Sequence, residues 1–304
     1  MNKIKYIHAF GTSFTAGGGY EFTAGGKREK LHKLYNHLDE ELTRYNFSWP
    51  GQLNKLVKSH GIIVYNHAES GYGNQRMYRM LDEVVNSPTF KKEEHLFLLE
   101  FSGVGRQELF FTPLNDYIIF NFKENDPHNK DWSGAAHRYF YDDPKTQSLL
   151  NDNMKLIYDY HELVYSLESR EEEMRRNNTF FLHYLESLEL NYLLGQHPYT
   201  PPRKYKNEID FDLLHKHTIK FDDEMTLGLN TYYQNNDFTI TNETYGVFND
   251  GHSSLLGAKN IAIKVFNSLI LYNYLNDSEL DVLPSDTKFC IKEIATEIKS
   301  KDLF

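Results

Sequence analysis

Residues 5–15 read KYIHAFGTSFT, and the reading of this stretch decides the fold. Lys5–Phe10 is rich in strand-forming residues and is broken at once by Gly11, with Gly17–Gly19 following closely. A strand that runs straight into a glycine-rich loop is a common opening of α/β domains. Ser13 then falls just past the strand, where a parallel sheet meets its ligands at the carboxyl ends of its strands. Glycine beside it permits a tight turn and lets a backbone N–H reach a substrate oxygen. The same segment also reads as a plain Ser/Thr helix cap on a glycine-rich turn. It is not a phosphate-binding P-loop, because no Gly-Lys-Ser/Thr closes the spacing.

Working outward, Lys27–Tyr45 is charged and patterned as a helix, with Leu31, Leu34, Leu38 and Leu42 on one stripe. Ser48-Trp49-Pro50 is a helix start, with Ser48 as N-cap and Pro50 in the first turn. Trp49, Leu53, Leu56 and Val57 form its apolar face, and Gly61 ends it. Ile62–Asn66 is a short strand, a helix follows around Gln75–Val85, and Leu96–Phe101 is apolar enough to be a central strand. Strand, helix, strand, helix, strand predicts a parallel sheet with helices on its faces.

The middle is less regular. Arg106–Lys145 is aromatic-rich and turn-rich without a clear period. Ser148–Arg176 has a long helical pattern ending in the charge run ESREEEMRR, Phe180–Leu188 reads as helix, and Leu190–Leu194 as a fourth strand. Gln196–Asp237, with Pro198, Pro201 and Pro202, is expected to wander over the surface. Asn260–Tyr274 is an amphipathic helix with Ile261, Val265, Phe266 and Leu269 inward, and a short helix is expected after Asn276. The whole is one domain over residues 1–304, with insertions at about 20–46, 105–176 and 196–237.

Composition bounds the partners. A formal net charge of −10 argues against a general affinity for nucleic acid or anionic lipid. Cys290, the one cysteine, rules out an intrachain disulfide and a multi-cysteine zinc site. Met1–Phe10 reads as a first strand and not as a signal peptide, and no run reaches the roughly 20 apolar residues of a membrane span. A soluble protein, cytoplasmic or virion-associated, is the expectation, with no metal and no cofactor.

A second group of polar residues is Asp250-Gly251-His252-Ser253-Ser254, ahead of the last helix. A histidine takes a proton from a serine hydroxyl when a partner fixes its tautomer and stabilises the imidazolium. Asp250 is near enough in sequence for that task. Alone the signal is weak, since the chain holds fourteen histidines. His215 and His217 lack carboxylates at ligand spacing. Gly71-Tyr72-Gly73-Asn74 and Ser102-Gly103 each follow a predicted strand, and small residues there can offer backbone N–H groups to an oxyanion.

Taken in order, these residues resemble the SGNH (GDSL-like) hydrolase superfamily, closest to SGNH-like proteins of bacteria and phages. Gly11-Thr12-Ser13-Phe14-Thr15 resembles its first block, usually Gly-Asp-Ser, which bears the nucleophile. Ser48-Trp49-Pro50 is similar to the helix that commonly follows. Asn66-His67-Ala68-Glu69-Ser70-Gly71 resembles the second block, whose glycine gives an oxyanion N–H, and Gly71–Arg76 is similar to a Gly-Ser-Ser-Asn-Asp-Arg pattern. Asp250–Gly257 resembles the last block, often Asp-x-x-His-Pro-Ser followed by Gly. The resemblance implies a three-layer α/β/α sandwich with a central, mainly parallel, flavodoxin-like sheet.

Three departures stand out. Thr12 replaces the acid of the first block. Asp250 lies two residues before His252 instead of three, and Asn249 holds the usual place; either can orient the imidazole, and the charge favours Asp250. The third block, normally Gly-x-Asn-Asp with an oxyanion-donating asparagine, here reads Glu100-Phe101-Ser102-Gly103, with Ser102 or Asn74 as candidate substitutes. The expectation is a serine esterase acting on small acyl esters, acetyl groups on carbohydrate among them. Ser13 is its nucleophile, His252 its base and Asp250 the orienting residue; Gly71, Asn74, Ser102 and Gly103 line the oxyanion side. The partner is then a small-molecule or glycan ester, and homo-oligomers or virion association remain open. The alternative is an SGNH-fold glycan-binding or virion structural module with a weak or idle site.

Overall fold

The computed structural model describes residues 4–17, 45–69, 73–102, 106–112, 116–121, 148, 167–196, 217–219, 239–240, 250–253 and 255–275. The expected helix at 27–45, most of 196–237 and the tail after 276 lie outside these residues or nearly so.

Four parallel strands form the central sheet: β1 (Tyr6–Phe10), β2 (Ile63–Asn66), β3 (His95–Glu100) and β6 (Asn191–Gln196). Their order is β2-β1-β3-β6. Side chains alternate between the two faces along each strand. Ile7, Ala9, Leu96, Leu98 and Leu193 point to one face, which is covered by α2 (Trp49–Val57) and α5 (Leu255–Leu271). Phe10, Phe97, Leu99, Tyr192 and Leu194 point to the other, covered by α3 (Asn74–Val85) and α4 (Leu167–Ser187). The architecture is therefore a three-layer α/β/α sandwich. The remaining strands are β4 (Arg106–Phe111) and β5 (Asp116–Asn121), an antiparallel pair, and β7 (Thr239–Ile240) with β8 (Asp250–Ser253), another. Thr218 bridges Leu194 in parallel, extending the sheet past β6.

The helix starts obey local chemistry. Ser48 caps α2, its Oγ accepting from the Gly51 N–H at 3.2 Å, and Pro50 occupies the first turn, where no N–H is needed. Gly61 closes this unit with φ +72°, in the left-handed region. In α5 the four residues expected inward, Ile261, Val265, Phe266 and Leu269, are all buried. Two stretches differ from expectation. The helical readings over 148–176 and 180–188 are joined, within the described residues, by one helix, α4, which runs unbroken from Leu167 to Ser187 with Asn178 fully buried. Arg106–Lys145, read as irregular, contains the β4–β5 hairpin.

Candidate active site

Ser13 is the first residue of a single helical turn, α1 (Ser13–Ala16), that leaves the carboxyl end of β1. The chain passes from β1 to β2 on one side and then crosses to β3 on the other, so Ser13 stands where the strand order reverses. Open α/β sheets bind ligands in that crevice. Gly17, at φ +81°, ends the turn, its N–H donating back to the Ser13 carbonyl.

The turn is held from beneath by Glu100, the last residue of β3, which is 3% exposed. Its Oε1 accepts the Thr12 hydroxyl at 2.7 Å, and its Oε2 accepts the Thr12 N–H at 3.3 Å and the Thr15 hydroxyl. Thr15 Oγ1 also accepts from Trp49 Nε1 at 3.0 Å. Asn66, at the end of β2, donates to the Thr15 carbonyl at 2.9 Å and to Ser48 Oγ at 3.4 Å, joining β2, α1 and α2. Thr12 is the N-cap of α1, yet its side chain makes no capping bond, being committed to Glu100. Neither Glu100 nor Asn66 is apparent as a site residue from sequence. The signal was a carboxylate closing an otherwise apolar central strand.

Asn74 and Ser102 come together, one opening α3 and the other following β3. Asn74 Oδ1 accepts both the Ser102 N–H, at 2.7 Å, and its hydroxyl, at 3.0 Å. Asn74 Nδ2 donates to the Ser102 carbonyl at 3.4 Å and to Asn178 Oδ1 at 3.3 Å. In this arrangement the two side chains spend their polar atoms on each other and on α4. The Ser102 hydroxyl must rotate before it can donate to a bound substrate. Gly71 and Gly103 lie outside the described residues.

His252 and Asp250 sit on β8, whose Cα atoms come within 8 Å of those of α1 and of α5. The backbone thus carries the last motif to the turn that Ser13 begins; only its backbone is described. His217 sits apart from this group, paired with Glu186 on α4 at 3.2 Å and stacked on Tyr192. Among the described residues no group of three or more His, Cys, Asp and Glu has metal-binding geometry, and no helix is long and apolar enough to cross a membrane.

Beside the site, three imidazoles run across the sheet. His8 Nδ1 meets His67 Nε2 at 2.9 Å, and His8 Nε2 meets His95 Nδ1 at 2.9 Å. Burial pushes His8 down to about 3, helped by His67 and His95. Burial, with Arg76 nearby, lowers His67 to about 4. Arg76 donates to the His67 carbonyl at 2.5 Å, tying α3 to the residue that follows β2.

No protein-family model and no curated protein sequence matches the chain. Two solved structures are similar to it. One is a protein assigned to the G-D-S-L family of lipolytic proteins from Desulfitobacterium hafniense DCB-2. It is 12% identical at a TM-score of 0.37, over 86% of this chain and 98% of that one. The other is an alpha/beta hydrolase enzyme from the metagenome of Lake Arreo, Spain, 10% identical at a TM-score of 0.39, over 91% of this chain and 100% of that one. The fold is defined by the strand order and the two helix layers, independently of these likenesses.

Proposed function

We propose that the chain is a serine ester hydrolase that transfers an acyl group to water through Ser13. His252 Nε2 takes the Ser13 proton as the hydroxyl oxygen attacks the ester carbonyl. The resulting oxyanion rests on the backbone N–H groups of Ser13 and Gly71, with Ser102 as a side-chain donor after its hydroxyl rotates and Asn74 orienting it. His252, oriented by Asp250, then protonates the leaving alcohol, and water releases the acyl group by the same path. The substrate class is a small acyl ester, with acetyl groups on carbohydrate as the leading candidate. The observation that carries this reading is the position of Ser13, at the strand-order reversal on a turn with the backbone of β8 alongside.

Turnover of p-nitrophenyl acetate by the wild type and by Ser13→Ala tests it. The substitution is expected to remove turnover above the uncatalysed rate; equal rates in the two proteins would reject Ser13 as the nucleophile. Labelling by a fluorophosphonate probe reads the same serine without a chosen substrate.

One observation favours a second reading. Asn74 and Ser102 are satisfied by each other, as befits a site that binds a glycan ester without turning it over. A folded wild type that takes no fluorophosphonate label yet binds an acetylated glycan would establish that role.

A further inference from the structure

Glu100 is a buried carboxylate that the acyl-transfer scheme above does not use. Three of its neighbours dictate how it is employed. A backbone N–H can only donate, so Thr12 N–H uses Oε2 as an acceptor. Indole Nε1 also only donates, so Thr15 Oγ1 is the acceptor from Trp49 and its own proton goes to Oε2. The Thr12 hydroxyl takes Oε1. Residues 12 and 15, which bracket Ser13, are therefore tied to the two oxygens of one carboxylate delivered from β3. The carboxylate also lies so close to Gly11 that a Cβ there would stand 2.4 Å from Oε2. The strand irregularity between Leu99 and Glu100 lies at this point, so the chain departs from regular pairing where the carboxylate enters.

We propose that Glu100 is the positioning residue of the nucleophile turn, holding it from β3 through Thr12 and Thr15 and so fixing the direction of Ser13. This inference rests on Ser13 being the nucleophile. Methionine at position 100 keeps the length but offers no oxygen, so the Thr12 N–H and the Thr12 and Thr15 hydroxyls all lose their acceptor; glutamine would not do this, because its NH₂ can face the Thr12 hydroxyl, which can accept. The turn then loses its ties on both sides of Ser13. A displacement of about 1 Å in a reacting group costs roughly 10² in rate, and it falls on kcat, because the substrate still meets the same pocket.

The test measures kcat and KM for p-nitrophenyl acetate, with fluorophosphonate labelling, in the wild type, Glu100→Met, Thr12→Val and the double variant Thr12→Asp/Glu100→Met. Glu100→Met is expected to lower kcat by roughly 10²-fold with KM within about twofold of wild type. The double variant returns a carboxylate to the turn and is expected to recover at least about tenfold of the loss, which a general loss of packing would not allow. A folded Glu100→Met protein with wild-type kcat, or one in which only KM rises, overturns the proposal. If Glu100→Met does not fold, Thr12→Val decides: a kcat about tenfold lower sustains the proposal and an unchanged kcat overturns it. A wild type that neither labels nor turns over substrate removes the hydrolase reading, and this inference with it. Labelling at equal rates in wild type and variants removes the role of Glu100 alone.

Discussion

Gly11 is required for space and not for backbone conformation. Its φ is not in the left-handed region; what it provides is room for the Glu100 carboxylate. Gly11→Ala would place its methyl group 2.4 Å from Glu100 Oε2 and 2.7 Å from Thr15 Oγ1. The neighbours are anchored by hydrogen bonds, so overpacking is expected to cost about 1–3 kcal/mol and to misplace Ser13. Urea denaturation checks the first effect, and a wild-type midpoint would show that the carboxylate gives way freely. At the same scale, Asp250→Asn is expected to cut esterase activity far more than Asn249→Ala, because only a carboxylate stabilises the imidazolium by charge; the reverse ranking in kcat would assign orientation to Asn249. Ser13 was legible because a strand, a glycine and a hydroxyl follow one another within a few residues. Glu100 was not, since its partners Thr12 and Thr15 lie 88 and 85 residues away in sequence.

Helices with local signals and the four apolar strands of the central sheet were readable, and the β4–β5 ribbon was not. Ser48-Trp49-Pro50 announces α2 because capping is settled within four residues. Ser48 does more than cap: its hydroxyl donates to the Tyr45 carbonyl at 2.7 Å while Oγ accepts from Gly51 and Asn66. Ser48→Ala is therefore expected to cost about 1–2 kcal/mol, the upper part of the range for N-caps, measured as a lowered urea midpoint; a loss well below this would mean that the cap is solvated at little cost. The β4–β5 hairpin escaped because its burial does not follow side-chain polarity. On one face of β4 the carboxylate of Glu108 is buried while Phe110 is half exposed. The partner is α3, where Arg79 reaches Glu108 at 2.9 Å and lies over the Tyr117 ring at 4.3 Å. No period within 106–121 records that partner.

Across the whole molecule, the chain of His67, His8 and His95 links three strands of the sheet through groups that the fold holds uncharged. An unfolded histidine titrates near 6.5, whereas burial takes His8 to about 3 and His67 to about 4, and lowers His95 against the opposing pull of Glu94 and Glu93. Arg76 faces His67, while Tyr65, Phe97 and Phe10 contribute only ring faces. Between these values and 6.5 the unfolded chain binds protons that the folded chain refuses. Stability is thus fully present above pH 6.5 and is lost as the pH falls toward 4 and 3, by up to ~1.4 kcal/mol per pH unit for each histidine. Glu94, which Lys5 holds below the ordinary carboxylate range, is partly buried and enters only lower in this range. Among the described groups with a lowered value, those that titrate between pH 6.5 and 5 on unfolding are the three histidines. Urea midpoints through that interval are expected to fall steeply in the wild type. His8→Phe, which suits the neighbouring Phe97 and Phe10 rings, should be less stable at pH 7.5, because His67 Nε2 and His95 Nδ1 each lose a partner. Its slope between pH 6.5 and 5 should be flatter, since the proton refused most strongly is no longer in play. An unchanged slope in His8→Phe would mean that the acid sensitivity arises elsewhere and that His8 accepts a proton in the folded state.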